Sequence, residues 1–209
     1  MKPLIAVIDY GMGNLRSVSK ALELAGAKAV VTSKNSIIRS ADAVVFPGVG
    51  AFGPAMKSIR KSGLDKSILE VIAKGKPFLG LCLGFQLLFD TSIEDGNHKG
   101  LGIIPGKVIK FKTTLKVPHM GWNTIKYRGK DAKATMFKGI PENSYFYFVH
   151  SYYAATNRGQ NVSGITSYGI DFCSAVIKGK VWGCQFHPEK SSANGIKLLK
   201  NFIKMANKC

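Results

Sequence analysis

Short apolar runs separated by helical periodicities occupy the first half of the chain. Leu4 to Ile8 is apolar throughout, and residues 30–32, 43–46 and 77–81 repeat the pattern. Such runs lack the alternation of a half-exposed strand and fit strands buried on both faces. Leu15, Val18, Leu22 and Ala25 recur three or four positions apart and define the inner face of a helix, with Asn14 placed to cap it and Gly26 to stop it. Pro54 opens a helical pattern that breaks near Gly63, and residues 64–74 continue helically to a stop at Gly75. Strand and helix in alternation predict parallel strands joined by crossover helices.

From about Gly106 the period changes. Residues 108–112, 123–127, 145–149, 162–168, 173–177 and 181–186 read as strands, several with alternating side chains, and predict a mixed or antiparallel region. Residues 196–205 close the chain as an amphipathic helix with Leu198, Leu199, Phe202 and Ile203 inward. The polar segment 90–100, with Asp95-Gly96-Asn97 at its centre, predicts a long surface loop. There is no internal repeat, low-complexity tract or linker, so residues 1–209 read as one α/β domain.

Composition narrows the classes. At 209 residues, 45% hydrophobic and 20% charged, the chain suffices for one well-buried core and is short for two. Thirty Lys and Arg against twelve Asp and Glu give a formal charge of +18. The lysines are spread along the whole chain, without a basic block interleaved with aromatics, a zinc-finger pattern or a helix-turn-helix pattern. A solvated lysine-rich surface is the plain reading and a basic face for a partner or anionic substrate the alternative; no nucleic acid is expected. Cys82, Cys173, Cys184 and Cys209 are too far apart for a CxxC pair, so neither a zinc site nor a redox dithiol is expected, and a reducing compartment fits. The run ending at Asp9 is too short for a signal sequence, and the longest largely apolar stretch, 77–89, is shorter than the ~20 residues of a membrane helix. The expectation is a cytoplasmic protein with no membrane, metal or cofactor.

The chemistry centres on Gly80-Leu81-Cys82-Leu83-Gly84, which lies between the strand pattern 77–81 and the apolar segment 85–89. That is the layout of a nucleophile elbow. A strand enters, the chain reverses with glycines at the tight positions, and the central side chain projects as a helix departs. The helix N-terminus favours a thiolate, and its first free N–H can face an oxyanion. A free cysteine is more often a buried structural residue, which is the reading for Cys173, Cys184 and Cys209. A nucleophile needs a base, and His187 follows the strand pattern 181–186, precedes Pro188 and has Glu189 two residues on to orient its imidazole. His119 and His150 are weaker candidates, and His98 carries no argument. Residues 48–53 match a G-x-G-x-x-G fingerprint, but Pro54 follows and the nearest acids, Asp65 and Glu70, lie in helical sequence, against a nucleotide site. Gly11-Met12-Gly13-Asn14 reads equally as a phosphate loop or a tight turn.

The elbow, continued by Phe85-Gln86, together with Gln185-Phe186-His187-Pro188-Glu189, resembles the class I, or triad, glutamine amidotransferases. Within that family the segments 9–18, Pro47-Gly48-Val49-Gly50-Ala51-Phe52, Pro118-His119-Met120-Gly121-Trp122-Asn123 and Phe148-Val149-His150-Ser151-Tyr152 are similar to the glutaminase subunits of imidazole glycerol phosphate synthases of histidine biosynthesis. The resemblance spans nearly the whole chain and implies the single-domain fold of that family, a mixed, largely parallel sheet flanked by helices with an antiparallel extension. It implies Cys82 as nucleophile, His187 as proton shuttle and Glu189 as its orienter. It implies oxyanion donors at Leu83 and at Val49 or Gly50, with Gly48, Gly50, Gln86, His150, Ser151 and Tyr152 around the substrate L-glutamine, the last three largely through backbone atoms.

The same resemblance implies a heterodimer with a (β/α)₈-barrel cyclase that receives ammonia, an interface including Met12, Asn14, Trp122 and Lys190, and low activity without the partner. A buried indole and a solvated lysine are the plain alternatives for Trp122 and Lys190. Related glutaminases feed a similar barrel for amidination of a surface-polysaccharide sugar, and the triad does not separate the two pathways. A stand-alone γ-glutamyl hydrolase and a catalytically silent binding subunit are the remaining alternatives.

Overall fold

The computed structural model describes residues 1–156 and 159–206. Cys209 lies outside the described residues. The first half alternates as its apolar runs predict: β1 (Leu4–Ile8), α1 (Leu15–Leu24), β2 (Lys28–Thr32), α2 (Asn35–Ser40), β3 (Ala43–Gly48), α3 (Phe52–Lys61), α4 (Leu64–Ala73) and β4 (Phe78–Cys82). After the short α5 (Leu83–Gln86) come β5 (Phe89–Ser92), β6 (His98–Lys99), β7 (Ile104–Lys110), β8 (His119–Thr124), β9 (Lys126–Tyr127) and α6 (Lys130–Ala134). β10 (Tyr145–His150), β11 (Tyr152–Ala155), β12 (Val162–Ser167), β13 (Asp171–Lys178), β14 (Val181–Cys184) and α7 (Ser192–Ala206) complete the chain.

One sheet organises the molecule, in the order β2-β1-β3-β4-β14-β13-β11-β7-β5-β6, with β12 and β9 branching from β13. β2 to β14 are parallel; β13 and β11 continue the sheet antiparallel. A separate ribbon pairs β8 with β10. The sheet divides two apolar clusters, because successive side chains of a strand point to opposite faces. Ile5 and Val7 join Val18, Leu22 and Phe202, so α1 and α7 cover one face. Ala6 and Ile8 join Ile38, Phe52, Ile59 and Ile68, so α2, α3 and α4 cover the other. The carboxyl ends of the central parallel strands β3, β4 and β14 lie side by side, where open α/β sheets place their sites.

Several expectations need correction. Residues 90–100 are not one long loop: β5 and β6 pair antiparallel within them, and β5 also pairs with β7. The expected strand at 108–112 begins earlier, at Ile104, and the one at 123–127 is divided between β8 and β9. α3 begins at Phe52, two residues before Pro54, which is accommodated in the first turn where no N–H is required. Asn14 occupies the N-cap position of α1, yet its side chain makes no capping hydrogen bond. The short or polar elements α2, β6, α6 and β11 carry no strong apolar period and were not legible. Among the described residues no helix is long and apolar enough to cross a membrane.

Candidate active site

Cys82 is the last residue of β4 and stands at φ 53°, ψ −108°. The elbow glycines answer to space. A Cβ on Gly84 would overlap the Phe46 carbonyl oxygen, and one on Gly80 would lie 2.8 Å from the Gly84 carbonyl oxygen. The reversal therefore seats α5 directly against β3, and the strained backbone falls on the cysteine itself. α5 has four residues, not the longer helix expected over 85–89, because Phe89 already starts β5. A helix that short adds little dipole to a thiolate.

His187 follows β14 in extended conformation, and the turn formed by Pro188–Lys190 swings Glu189 back beneath it. His187 Nδ1 and Glu189 Oε1 are 2.8 Å apart, with side chains only 4% and 2% exposed. The carboxylate can only accept there, so Nδ1 carries the proton and Nε2 is the working nitrogen. The backbone is pinned as well: His187 N–H donates to the Tyr147 carbonyl, and the Ser191 hydroxyl donates to the His187 carbonyl. Nε2 is buried and has no hydrogen-bond partner of good geometry. Burial opposes the imidazolium, but the Cys82 sulfur and the Glu189 carboxylate outweigh it and raise the His187 pKa to about 10.

Around this pair lies a cavity of about 400 Å³, lined by Val49, Gly50, Leu83, Gln86, Glu94 and the segment 149–152. Gly50 adopts φ +97°, and a Cβ on Gly48 would strike the Tyr10 hydroxyl. That hydroxyl is buried without a partner, and burial raises its pKa. Gln86 Nε2 donates to the Tyr152 carbonyl at 2.9 Å and to Gln185 Oε1 at 3.0 Å, which leaves Gln86 Oε1 as a free acceptor. Gln185 Nε2 in turn lies 3.8 Å from Cys82 Sγ. His150 lines the cavity, but both its ring nitrogens are committed elsewhere, to the Tyr152 carbonyl and to His119. Ser151 and Tyr152 form the same wall.

Three residues of the site were not identified from sequence. Glu94 comes from the supposed loop; its Oε2 accepts the Phe52 N–H at 2.7 Å, and burial raises its pKa. That carboxylate occupies the N-terminus of α3, where a bound phosphate would have to lie, which disposes of the nucleotide reading. No pattern in a polar segment could have singled it out. Gln185, beside the histidine motif, and Tyr10, beside the first glycine turn, had a signal in position only.

The residues expected at an interface lie on the ribbon and turns at the mouth of the cavity. Trp122 is 51% exposed and meets Tyr147 edge-on at 6.1 Å, while Lys190 Nζ lies 5.5 Å over the same Tyr147 ring. Met120 and Tyr145, both well exposed, extend the patch beyond the expected residues. Met12 and Asn14 are half-buried, and a Cβ at Gly50 would sit 3.8 Å from Met12 Sδ. In Gly11-Met12-Gly13-Asn14 both glycines stand at positive φ, and the Gly11 N–H donates to Asp9 Oδ1 just before it. Cys173 and Cys184 are free and buried, with pKa values raised by burial, so they are inert beside Cys82.

The family model for glutamine amidotransferase class-I matches residues 6–206. The chain is 46% identical over 204 residues to the imidazole glycerol phosphate synthase subunit HisH of Desulfitobacterium hafniense (strain DSM 10664 / DCB-2), covering 98% of this chain and 95% of that protein. It is 49% identical to the HisH subunit of Chlorobaculum tepidum, covering 95% and 98%, and 49% identical to HisH 1 of Methanococcus maripaludis, covering 97% and 100%. Among solved structures it resembles PurLQS from Thermotoga maritima, with TM-score 0.77, 20% identity and coverage of 98% and 99%. It also resembles the glutaminase domain of Trypanosoma brucei CTPS with bound acivicin, with TM-score 0.72, 16% identity and coverage of 99% and 94%. At those identities the structural likeness speaks for the fold. Taken with the elbow cysteine, the buried histidine–glutamate pair and the cavity beside them, these matches establish that the chain belongs to the class-I glutamine amidotransferases, within the group of imidazole glycerol phosphate synthase subunits HisH.

Proposed function

We propose that the chain hydrolyses glutamine with Cys82, His187 and Glu189 and delivers the ammonia to a (β/α)₈-barrel synthase subunit in histidine biosynthesis, working in the cytoplasm. The observation that carries the chemistry is His187, held at Nδ1 by a buried carboxylate, where burial opposes the imidazolium and the Cys82 sulfur with that carboxylate outweighs it. The Cys82 thiolate adds to the side-chain amide carbon and generates an oxyanion. The C–N bond then breaks as the His187 imidazolium gives its proton to nitrogen, and ammonia leaves a γ-glutamyl thioester. Water adds with His187 taking its proton, the C–S bond breaks, and glutamate leaves the restored thiolate. Leu83 N–H and the N–H of Val49 or Gly50 are the oxyanion donors, each worth roughly 10²- to 10³-fold in rate.

The cavity supplies recognition at the other end of glutamine. Gln86 Oε1 and the Glu94 carboxylate accept from its ammonium group, and the wall at His150, Ser151 and Tyr152 takes its carboxylate through backbone atoms. Gly48 and Gly50 keep side chains out of the approach. The exposed patch of Met120, Trp122 and Tyr145, with Lys190, Met12 and Asn14 beside the cavity mouth, is the docking face for the barrel, because it is apolar and surrounds the point at which ammonia forms.

The test is to purify the chain with its own barrel subunit and measure glutamine-dependent formation of imidazole glycerol phosphate, with Cys82→Ala as the dead control. Glutaminase activity without that product would exclude the histidine pathway and favour the sugar-modifying synthase. Equal turnover with and without the barrel would favour a stand-alone γ-glutamyl hydrolase, and an active Cys82→Ala complex a silent binding subunit.

A further inference from the structure

Behind the cavity wall runs a line of hydrogen bonds that the triad does not use. Asn123 Oδ1 accepts the Thr124 N–H, and Asn123 Nδ2 lies 3.0 Å from the Ser167 carbonyl and 3.2 Å from His119 Nε2. His119 Nδ1 lies 3.0 Å from His150 Nε2, and His150 Nδ1 lies 2.8 Å from the Tyr152 carbonyl. The same carbonyl takes Gln86 Nε2, which also binds Gln185 Oε1, and Gln185 Nε2 reaches Cys82 Sγ.

The two carbonyls determine every orientation between them. The Ser167 carbonyl can only accept, so the NH₂ of Asn123 faces it and also faces His119 Nε2, which must be an unprotonated acceptor. His119 therefore holds its proton on Nδ1 and donates to His150 Nε2. His150 holds its own on Nδ1, because that atom faces the Tyr152 carbonyl. Both rings are neutral in this arrangement: a second proton on either Nε2 would meet a donor head-on. Burial agrees, since His119 is 3% and His150 7% exposed, and their pKa values fall to about 4 and about 3. The His119 ring is also stacked between Tyr168 at 4.0 Å and Phe148 at 4.9 Å, so it cannot turn without displacing both.

We propose that His119 is a positioning residue of the glutamine pocket, holding the Tyr152 carbonyl through His150 so that Gln86 presents its oxygen to substrate and Gln185 its amide to Cys82. The proposal rests on the glutaminase reading. Without the His119 proton on its Nε2, His150 is no longer held to the Nδ1–H tautomer and is free to turn. The Tyr152 carbonyl then loses one of its two donors and moves, and Gln86 turns its amide toward another acceptor. His119 touches neither substrate nor sulfur, so its loss acts on the fit of glutamine more than on the chemical step.

Two variants of the full chain, assayed in complex with the barrel subunit, separate this role from plain packing. His119→Phe keeps the stack and drops both hydrogen bonds; His119→Asn places an Nδ2–H where the imidazole Nδ1–H was. The expected result for the first is a KM for glutamine raised about tenfold, the worth of one ordinary hydrogen bond, with kcat changed less than about threefold. The second is expected within about threefold of the wild-type KM. Nitrogen-detected NMR of the wild-type chain should show both rings protonated at Nδ1 only. A wild-type KM in His119→Phe, equal impairment of the two variants, or an Nε2–H tautomer at either ring would overturn the proposal. A wild-type complex without glutaminase activity would instead fail the functional reading, and the NMR tautomers would still decide the relay.

Discussion

At the scale of single residues the site is a set of partners imposed by burial. His187 cannot leave Glu189, because a carboxylate with its side chain 2% exposed and one oxygen already unpartnered has no other directed contact. The imidazolium is the proton donor to departing ammonia, so kcat/KM should hold through neutral pH and fall as pH rises through about 10, where His187 loses its proton. Glu189→Gln removes one of the influences that raise this pKa, and the alkaline fall should move to lower pH in a kcat/KM profile; an unmoved limb would assign it to another group. Glu94 acts at the opposite end of the pocket. Replacing it with Gln should raise KM for glutamine about 10- to 100-fold with little change in kcat, the worth of a hydrogen bond to a charged group; a steady-state titration with glutamine checks it. Cys82 was legible from its neighbours alone, and His187 from Pro188 and Glu189. Glu94 was not, since its role comes from a carboxylate folding back onto the Phe52 N–H, forty-two positions away.

At the scale of elements the decisive feature is the close approach of α5 to β3. The elbow glycines were expected to avoid a steric clash in the reversal, and Gly80 and Gly84 do so by letting backbones touch, while the positive φ falls on Cys82. Gly84→Ala has no room against the Phe46 carbonyl. It should cost about 3 kcal/mol in urea unfolding and abolish glutaminase activity, because Leu83 N–H moves with the displaced turn. A stable, active Gly84→Ala chain would show that α5 can move aside. The buried parallel strands were legible because an apolar run has one stable place, the middle of a covered sheet. The short elements α2, β6 and β11 were not, because their residues are chosen by a neighbour they pair with or lie on, not by a period of their own.

At the scale of the whole molecule the buried histidines link fold to pH in opposite senses. His119 and His150 have pKa values of about 4 and about 3, below the ~6.5 of an unfolded histidine. Between those values the unfolded chain binds more protons, so their contribution is complete above ~6.5 and is lost as pH falls toward 4 and 3. His187 is raised to about 10, so its pairing contributes fully below ~6.5 and is lost as pH climbs through 10. The urea midpoint of the wild-type chain should therefore drop between neutral pH and about pH 4 by more than that of His119→Phe, which has one fewer buried histidine to protonate. Parallel acid profiles would show that the histidine line is not a stability element.

Local sequence was enough to determine the alternating strands and helices, the elbow at Cys82 and the His187–Glu189 pair, because each depends on residues within a few positions: an apolar run, a glycine spacing, a proline turn. Which groups meet in the pocket was decided only by the tertiary structure. The sheet sets β4 beside β14, and the packing of the separate β8–β10 ribbon brings residues from positions far apart in the chain to the same place. Only there do Glu94, Gln185, His119 and His150 acquire partners. A hydrogen bond between residues a hundred positions apart leaves no periodicity behind it; it exists because two buried polar groups were brought within reach and neither had water to turn to.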